Sequence, residues 1–117
     1  MFAATVALAV ALAVAFAASG ASKLASAPRT VDMADHLHIP RNRYRLIGVP
    51  ELFGAVGVVI GLWVASLGVA AGTGLVILMA VAVATHLRAN DTVKDAAPAA
   101  VLALAAAGYV ALRAATA

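Results

Sequence analysis

Glu51 is the residue of this chain whose type and position most clearly indicate chemistry. It stands directly after Pro50, just inside an apolar run over residues 46–67. A carboxylate in a membrane-length segment costs about 2.5–3.5 kcal/mol near the helix centre, so it usually faces a partner, a cavity or a ligand. Such a group can pair with a basic side chain, bind a ligand or transfer a proton. Pro50 removes a backbone donor beside it, which predicts a helix bend with room for water or a ligand head group.

Four further polar residues are expected at the depth of Glu51. They flank the ends of the first and third apolar runs, and with Glu51 they form the predicted ligand-binding or polar cluster: Lys23, Glu51, His86, Arg88 and Asp91. Lys23 and Arg88 could instead extend to the lipid headgroups, and His86 could bond only a backbone carbonyl. The sequence supports a static ion pair of Glu51 with Lys23 or Arg88 as well as it supports a functional site.

Membrane helices must position these residues, because the composition excludes a soluble domain. Of 117 residues, 65% are hydrophobic and only 11% are charged, which is too little polar surface for a soluble protein of this size. The chain has no cysteine, which excludes disulfides, thiol catalysis and thiolate metal sites. We expect no metal site and no resident cofactor, and no nucleic-acid module accompanies the net charge of +3.

Four apolar stretches predict an all-α membrane protein, an antiparallel bundle of four transmembrane helices in a single domain of residues 1–117. The predicted spans are residues 2–24, 45–67, 69–88 and 96–115. The first span is interpreted as a retained helix and not a signal peptide, because no Lys or Arg precedes it. Apolar residues at helical spacing between Pro28 and Pro40 predict a short interfacial helix over residues 30–38.

The basic residues predict the orientation. They concentrate in two of the three connections: Lys23, Arg29, Arg41, Arg43 and Arg45 in the first, Arg88 and Lys94 in the last. By the positive-inside rule both charged loops should be cytoplasmic and both termini outside. Arg113 is a lone exception near the C-terminus. An uncharged link around residues 66–68 should lie on the outer side.

Small residues predict close helix packing. Gly54, Gly57 and Gly61 are the predicted packing positions of the second span, and the last two have the small-xxx-small spacing. The same spacing also occurs in helix dimers. We favour packing within the chain over a dimer face.

The order of these motifs resembles the DoxX-like family of small bacterial membrane proteins, over nearly the whole chain. The residues that carry the resemblance are Gly20, Lys23 and Leu24; Arg45, Gly48, Glu51, Leu52, Gly54 and Gly61; and the string THLRAND, residues 85–91. The resemblance implies a compact antiparallel bundle with a polar cluster at one side. Related proteins include the membrane subunit of an archaeal thiosulfate:quinone oxidoreductase, a subunit linked to oxidative-stress assemblies, and distant chaperones of membrane receptors.

The leading functional hypothesis is a small accessory or assembly subunit of a larger membrane complex, in contact with lipid and with another membrane protein or a second copy of itself. Such a subunit would have no catalytic activity of its own. The alternative is a membrane subunit of an oxidoreductase that binds a quinone or another lipophilic molecule. Redox chemistry would then belong to the bound quinone or to the partner. A single polar cluster at one side argues against a transporter, whose site normally lies near the midplane.

Overall fold

The chain is entirely helical, and a computed structural model describes all of residues 1–117. Its five α-helices, in chain order, are α1 (Phe2–Leu24), α2 (Pro28–His36), α3 (Arg41–Ile60), α4 (Ala65–Arg88) and α5 (Val93–Ala115). There are no strands. Four helices are long, and the short α2 connects the first two of them.

The four long helices pack side by side in a closed ring. α1 contacts α3 and α5, and α4 contacts α3 and α5. Opposing glycines show that neighbours run antiparallel, because Gly20 faces Gly48 across α1 and α3, whereas Gly61 faces Gly68 across α3 and α4. α2 packs only on α1 and α3. We call the end where α1 ends and α3 begins the charged end, and the other the opposite end.

Three of the helices are long and apolar enough to cross a membrane. They are α1, α4 and α5. α3 differs because it carries Arg41, Arg43 and Arg45 in its first turns and Glu51 further along. Large apolar side chains such as Phe53 also project outward around the ring. These features indicate a lipid environment.

The core lies inside the ring and consists of small and medium-sized apolar side chains. Its buried members are Ala9, Leu12, Phe16, Ala55, Val58, Leu75, Met79, Ala106 and Tyr109. The three glycines predicted as packing positions lie between α3 and α4. There Gly54 faces Leu75, Gly57 faces Ala71, and Gly61 lies against Gly68. The absent side chains let the two backbones approach closely, so that packing replaces the hydrophobic effect as the source of association.

The turn between α3 and α4 lies earlier than the sequence indicated. α3 ends at Ile60, whereas the predicted second span continued to residue 67, and α4 already begins at Ala65. The turn over residues 61–64 is itself apolar, so hydropathy carries no signal for it. The expected link at residues 66–68 therefore belongs to the first turn of α4.

Other boundaries shift by a few residues for local reasons. α2 begins at Pro28, which tolerates the first helical position because its missing N–H would be unpaired there. α5 begins at Val93, where a reciprocal capping box between Thr92 and Asp95 fixes its start. α3 continues through Pro50.

Candidate functional site

Lys23 and Glu51 form an ion pair between α1 and α3 at the charged end. Lys23 Nζ lies 2.6 Å from Glu51 Oε1. Gly20 and Gly48 bring the helices together next to the pair, and each glycine precedes its charged residue by three positions. Helical side chains lean toward their own N-terminus, so on antiparallel helices these two lean toward each other.

Neighbouring side chains hold the Lys23 ammonium in place. It donates a hydrogen bond of 2.8 Å to Ser19 Oγ, one turn earlier on α1. It also lies 5.3 Å from the ring centroid of Tyr44, a distance typical of a cation–π contact. The Lys23 side chain is 11% exposed and that of Glu51 is 1% exposed. The pair is therefore almost wholly withdrawn from solvent.

Glu51 is only half satisfied by this arrangement. Its second carboxylate oxygen, Oε2, is buried and accepts no hydrogen bond from the protein, and it is the one buried side-chain polar atom in this condition. Buried polar atoms are nearly always paired, so an exception requires an explanation. A carboxylate oxygen can only accept hydrogen bonds, so the missing partner must be a donor.

A cavity of about 90 Å³ adjoins Glu51. Its wall combines polar residues of the charged end with apolar side chains of α3, α4 and the segment after α2: Lys23, Leu37, Ile39, Tyr44, Ile47, Glu51, Leu78, Met79, Val81, Ala82, Thr85 and His86. A volume near 10–15 Å³ already holds one water, so this one has room for several waters or a polar group of a ligand.

Asp91 joins two histidines at the edge of this cavity. His86 Nδ1 lies 2.7 Å from Asp91 Oδ2, and His36 Nε2 lies 2.6 Å from Asp91 Oδ1. The backbone explains the first contact: Asn90 has a positive φ of 63°, and the Asp91 N–H then bonds back to the His86 carbonyl. This is the Schellman end of α4, which returns Asp91 to the side chain of His86.

The electrostatics of the loop follow from these contacts. Hydrogen bonds from His86, and then from His36, hold the pKa of Asp91 below its usual value of 3.8, although partial burial opposes them. On α2, the hydrogen bonds of Arg41 likewise lower the pKa of Asp35. Through its contact with His36, Asp91 connects α2 to the loop between α4 and α5.

The structure divides the predicted cluster into two groups. Lys23 and Glu51 form one group, and His86 and Asp91 form the other, with the cavity reaching Glu51 and His86. His86 bonds a carboxylate and not a backbone carbonyl. Arg88 is exposed and forms no ion pair, so it is not the partner of Glu51.

Several residues near the site were not in the predicted cluster. Ser19 precedes Lys23 by four residues, and this helical spacing was an available signal. Tyr44 lies among arginines at the start of α3, a pattern typical of a membrane-surface anchor, but it contacts Lys23 and lines the cavity. His36 has no such signal, because its contact with Asp91 depends on two loop conformations 55 residues apart.

A separate set of polar contacts closes the opposite end. Tyr109 of α5 donates a hydrogen bond of 2.6 Å to the carbonyl of Val58, and Arg113 donates one of 2.6 Å to the carbonyl of Gly61. Val58 lies in the last turn of α3 and Gly61 is its C-cap residue, where carbonyls have no helical N–H partner. Arg113, the exception to the charge pattern, is thus 7% exposed and caps α3.

The chemical capacity of the charged end is hydrogen bonding and proton transfer. No group of three or more His, Asp or Glu side chains is placed to hold a metal ion. Glu51 offers a free acceptor oxygen. His86 uses Nδ1 for Asp91, and its Nε2 has no protein partner. The cavity thus combines these two residues and the polar side chains of Lys23, Tyr44 and Thr85 with apolar walls.

Comparison with known proteins agrees with the resemblance of the motifs. The sequence pattern of the DoxX-like family matches residues 7–108, which include Lys23, Glu51 and Asp91. No curated protein and no solved structure matches the chain. Since the match covers most of its length, the chain is a small membrane protein that belongs to the DoxX-like family.

Proposed function

We propose that this protein binds the polar head of a lipophilic molecule in the cavity at Glu51. The observation that carries this proposal is the buried Oε2 atom of Glu51, which has no hydrogen-bond donor in the protein and adjoins a cavity. Convergent polar groups in an otherwise apolar cavity are typical of small-molecule sites. The static alternative, an ion pair that only fastens α1 to α3, explains Oε1 but leaves Oε2 without a partner.

The chemistry of the cavity favours a ligand that donates a hydrogen bond and is otherwise apolar. A hydroxyl would donate to Glu51 Oε2, while side chains such as Leu78 and Val81 contact the apolar part. A quinol has such hydroxyls on an apolar ring, whereas the oxidised quinone has only acceptor oxygens, so we propose that the ligand is a quinol, the reduced form of a quinone. Glu51 would accept the hydroxyl proton, and His86 is the second group able to exchange one. Oxidation and reduction would take place on the ligand and on a partner protein.

The proposed site requires a defined position in the membrane. We propose that α3 is a fourth span beside α1, α4 and α5. Its arginines would lie at the lipid headgroups, and Glu51 would be enclosed by the four long helices. α2 then lies at the interface, both charged loops face the cytoplasm, and both termini lie outside. The bacterial inner membrane is the expected location.

The membrane arrangement is testable because the chain has no cysteine of its own. Single cysteines placed at exposed Arg43 and at exposed Trp63, which flank α3, should react with an impermeant thiol reagent from opposite sides. Reaction of both from one side would contradict a fourth span.

The ligand proposal is tested by the lipid-soluble material that purifies with the protein. Mass spectrometry of organic extracts should find a quinol, or the quinone to which it oxidises in air, with the wild type and at least tenfold less with Glu51→Gln. The matched control is Asp32→Asn, which makes the same change of carboxylate to amide at an exposed position on α2. A soluble short-chain quinol should also raise the Tm of the wild type but not that of Glu51→Gln. Equal contents of quinol and quinone and equal Tm shifts would contradict the proposal.

A role as an accessory subunit is the second candidate, and one observation on α4 favours it. Gly74 is exposed and has open space where a side chain would lie, next to a groove of about 390 Å³ that Phe53 and Leu78 also line. Small residues on a lipid-facing surface permit close approach of another helix. The experiment is purification of the tagged protein in mild detergent. A stoichiometric membrane partner that Gly74→Leu releases would support this role, and a lone chain of unchanged size in both variants would contradict it.

A further inference from the structure

The cavity at Glu51 is closed on one side by the segment of residues 28–40, which comprises α2 and the residues that follow it. Leu37 and Ile39 of this segment line the cavity, and Leu37 is buried. We call residues 28–40 the cover. α2 packs on α1 and α3 but has no helix contact with α4 or α5. On the side of α4 and α5, α2 is therefore connected to the rest of the protein only through side chains.

Asp91 supplies the hydrogen-bonded contact at that edge. One carboxylate oxygen bonds His36 at the end of α2, and the other bonds His86, which itself lines the cavity. The His36 side chain is 53% exposed, whereas that of Asp91 is 8% exposed. Water can therefore compete for the His36 contact. The contact between Asp91 and His86 is more protected, because His86 is 15% exposed.

The backbone on either side of α2 permits this helix to move as a unit within the cover. Ser26, just before α2, and His38, just after it, have positive φ values of 52° and 57°. Each is the left-handed residue of a tight turn, which interrupts the helical path on either side of α2. Rotation at a few such residues at element ends is the usual basis of hinge motion.

The cavity is too small to hold a ring-bearing ligand unless part of its wall moves. Its volume of about 90 Å³ is below the roughly 150 Å³ of an engineered protein cavity that admits benzene. A hydroxyl fits the cavity at this volume, but the ring of a quinol does not. A ring-bearing head group must therefore displace part of the wall, and the cover is the part with the fewest helix contacts.

We infer that Asp91 is a positioning residue that fastens the cover over the Glu51 cavity through His36, and that release of this contact admits the ligand. The inference concerns the regulation of the proposed binding site and rests on that proposal. It assigns different tasks to the two sides of Asp91. His86 stays fixed as a cavity wall, whereas His36 detaches with the cover.

The test measures access to the cavity without any ligand. Met79→Cys introduces the single thiol of the chain at a buried position on the cavity wall. In detergent, a small methanethiosulfonate reagent should modify it slowly in an otherwise unchanged chain. Added His36→Asn or Asp91→Ala should accelerate modification at least tenfold, because the shorter side chain in either variant cannot bridge His36 and Asp91.

The matched control is His38→Asn, the same substitution at an exposed histidine with no side-chain partner. Asparagine tolerates the positive φ of this position, so the turn is retained. His38→Asn should leave the modification rate within twofold of the parent. Equal rates of thiol modification in all four proteins, whether fast or slow, would overturn the inference that the contact between His36 and Asp91 fastens the cover. Rapid modification with His36→Asn but no quinol or quinone in the extracts would reject only the proposed ligand.

Discussion

Gly20 of α1 lies directly against Gly48 of α3. A Cβ atom added to Gly48 would stand 2.5 Å from the carbonyl oxygen of Gly20 and 3.2 Å from the Cβ of Lys23. The backbone carbonyl cannot move aside as a flexible side chain can. This approach is what brings Lys23 within reach of Glu51, so the ion pair depends on two residues that have no side chain.

Gly48→Ala should therefore destabilise the protein and also disturb the ion pair. We expect a loss of about 1–3 kcal/mol, the usual cost of overpacking, measured by unfolding in detergent. Gly74→Ala is the matched control, because an added Cβ there would meet nothing within 4 Å. It should leave stability unchanged or raise it by up to about 1 kcal/mol through helix propensity. Equal effects of the two substitutions would contradict the close approach.

Removal of Lys23 should cost more than removal of both members of its ion pair. Lys23→Met leaves the Glu51 carboxylate buried without its cation, and we expect a loss of about 3–5 kcal/mol. The double variant Lys23→Met/Glu51→Gln should recover a large part of that loss, because no buried charge remains. Arg41→Met removes one member of the exposed pair with Asp35 and should barely change the Tm. Additive effects of the two buried substitutions would contradict the coupling.

Acid should remove the contribution of Asp91 only at low pH. The pKa of Asp91 is lowered by His86 and His36, so its ionised form stabilises the folded state. That stability is fully present above the usual value of 3.8 and is lost as the pH falls through the lowered pKa. The Tm difference between wild type and Asp91→Asn should thus be constant from about pH 5 to pH 4 and shrink below it. A difference that is already lost at pH 5 would contradict this assignment.

Tyr109→Phe should destabilise the opposite end of the bundle. The substitution keeps the ring but leaves the buried carbonyl of Val58 without its hydrogen bond, at an expected cost of about 1–3 kcal/mol. Tyr44→Phe is the control, because no hydrogen bond of the Tyr44 hydroxyl is found and its ring contact with Lys23 would remain. Unfolding in detergent measures both. A larger loss for Tyr44→Phe would show that the two hydroxyls have been assigned the wrong roles.

Helix content was accessible from the sequence, and so was the choice of Lys23 or Arg88 as the partner of Glu51, of which the structure shows Lys23. Apolar run length predicts long helices, and counting residues from the charged ends places these side chains at similar depth. The turn over residues 61–64 was not accessible, because its side chains are as apolar as the helices it joins. The same holds for the contact between Tyr109 and Val58, which depends on how α5 packs against the end of α3.

The division of the polar cluster depended on backbone geometry that the sequence does not display. The histidines of the first loop gave no sign that one of them reaches Asp91. That contact requires the left-handed turns at His38 and Asn90, and neither position carries the glycine that usually marks such a turn. Arg88 was placed in the cluster by its depth alone. The direction of its side chain, which decides its exposure, follows from helix rotation within the ring.

The apolar core between the two polar ends has a consequence for energy conversion. Apolar side chains fill the core between Glu51 at one end and Tyr109 and Arg113 at the other. They form no chain of groups that could pass a proton. Protons that enter or leave at Glu51 must therefore be exchanged with a single compartment. Turnover of the proposed ligand there would change the acidity on the side of the charged end alone.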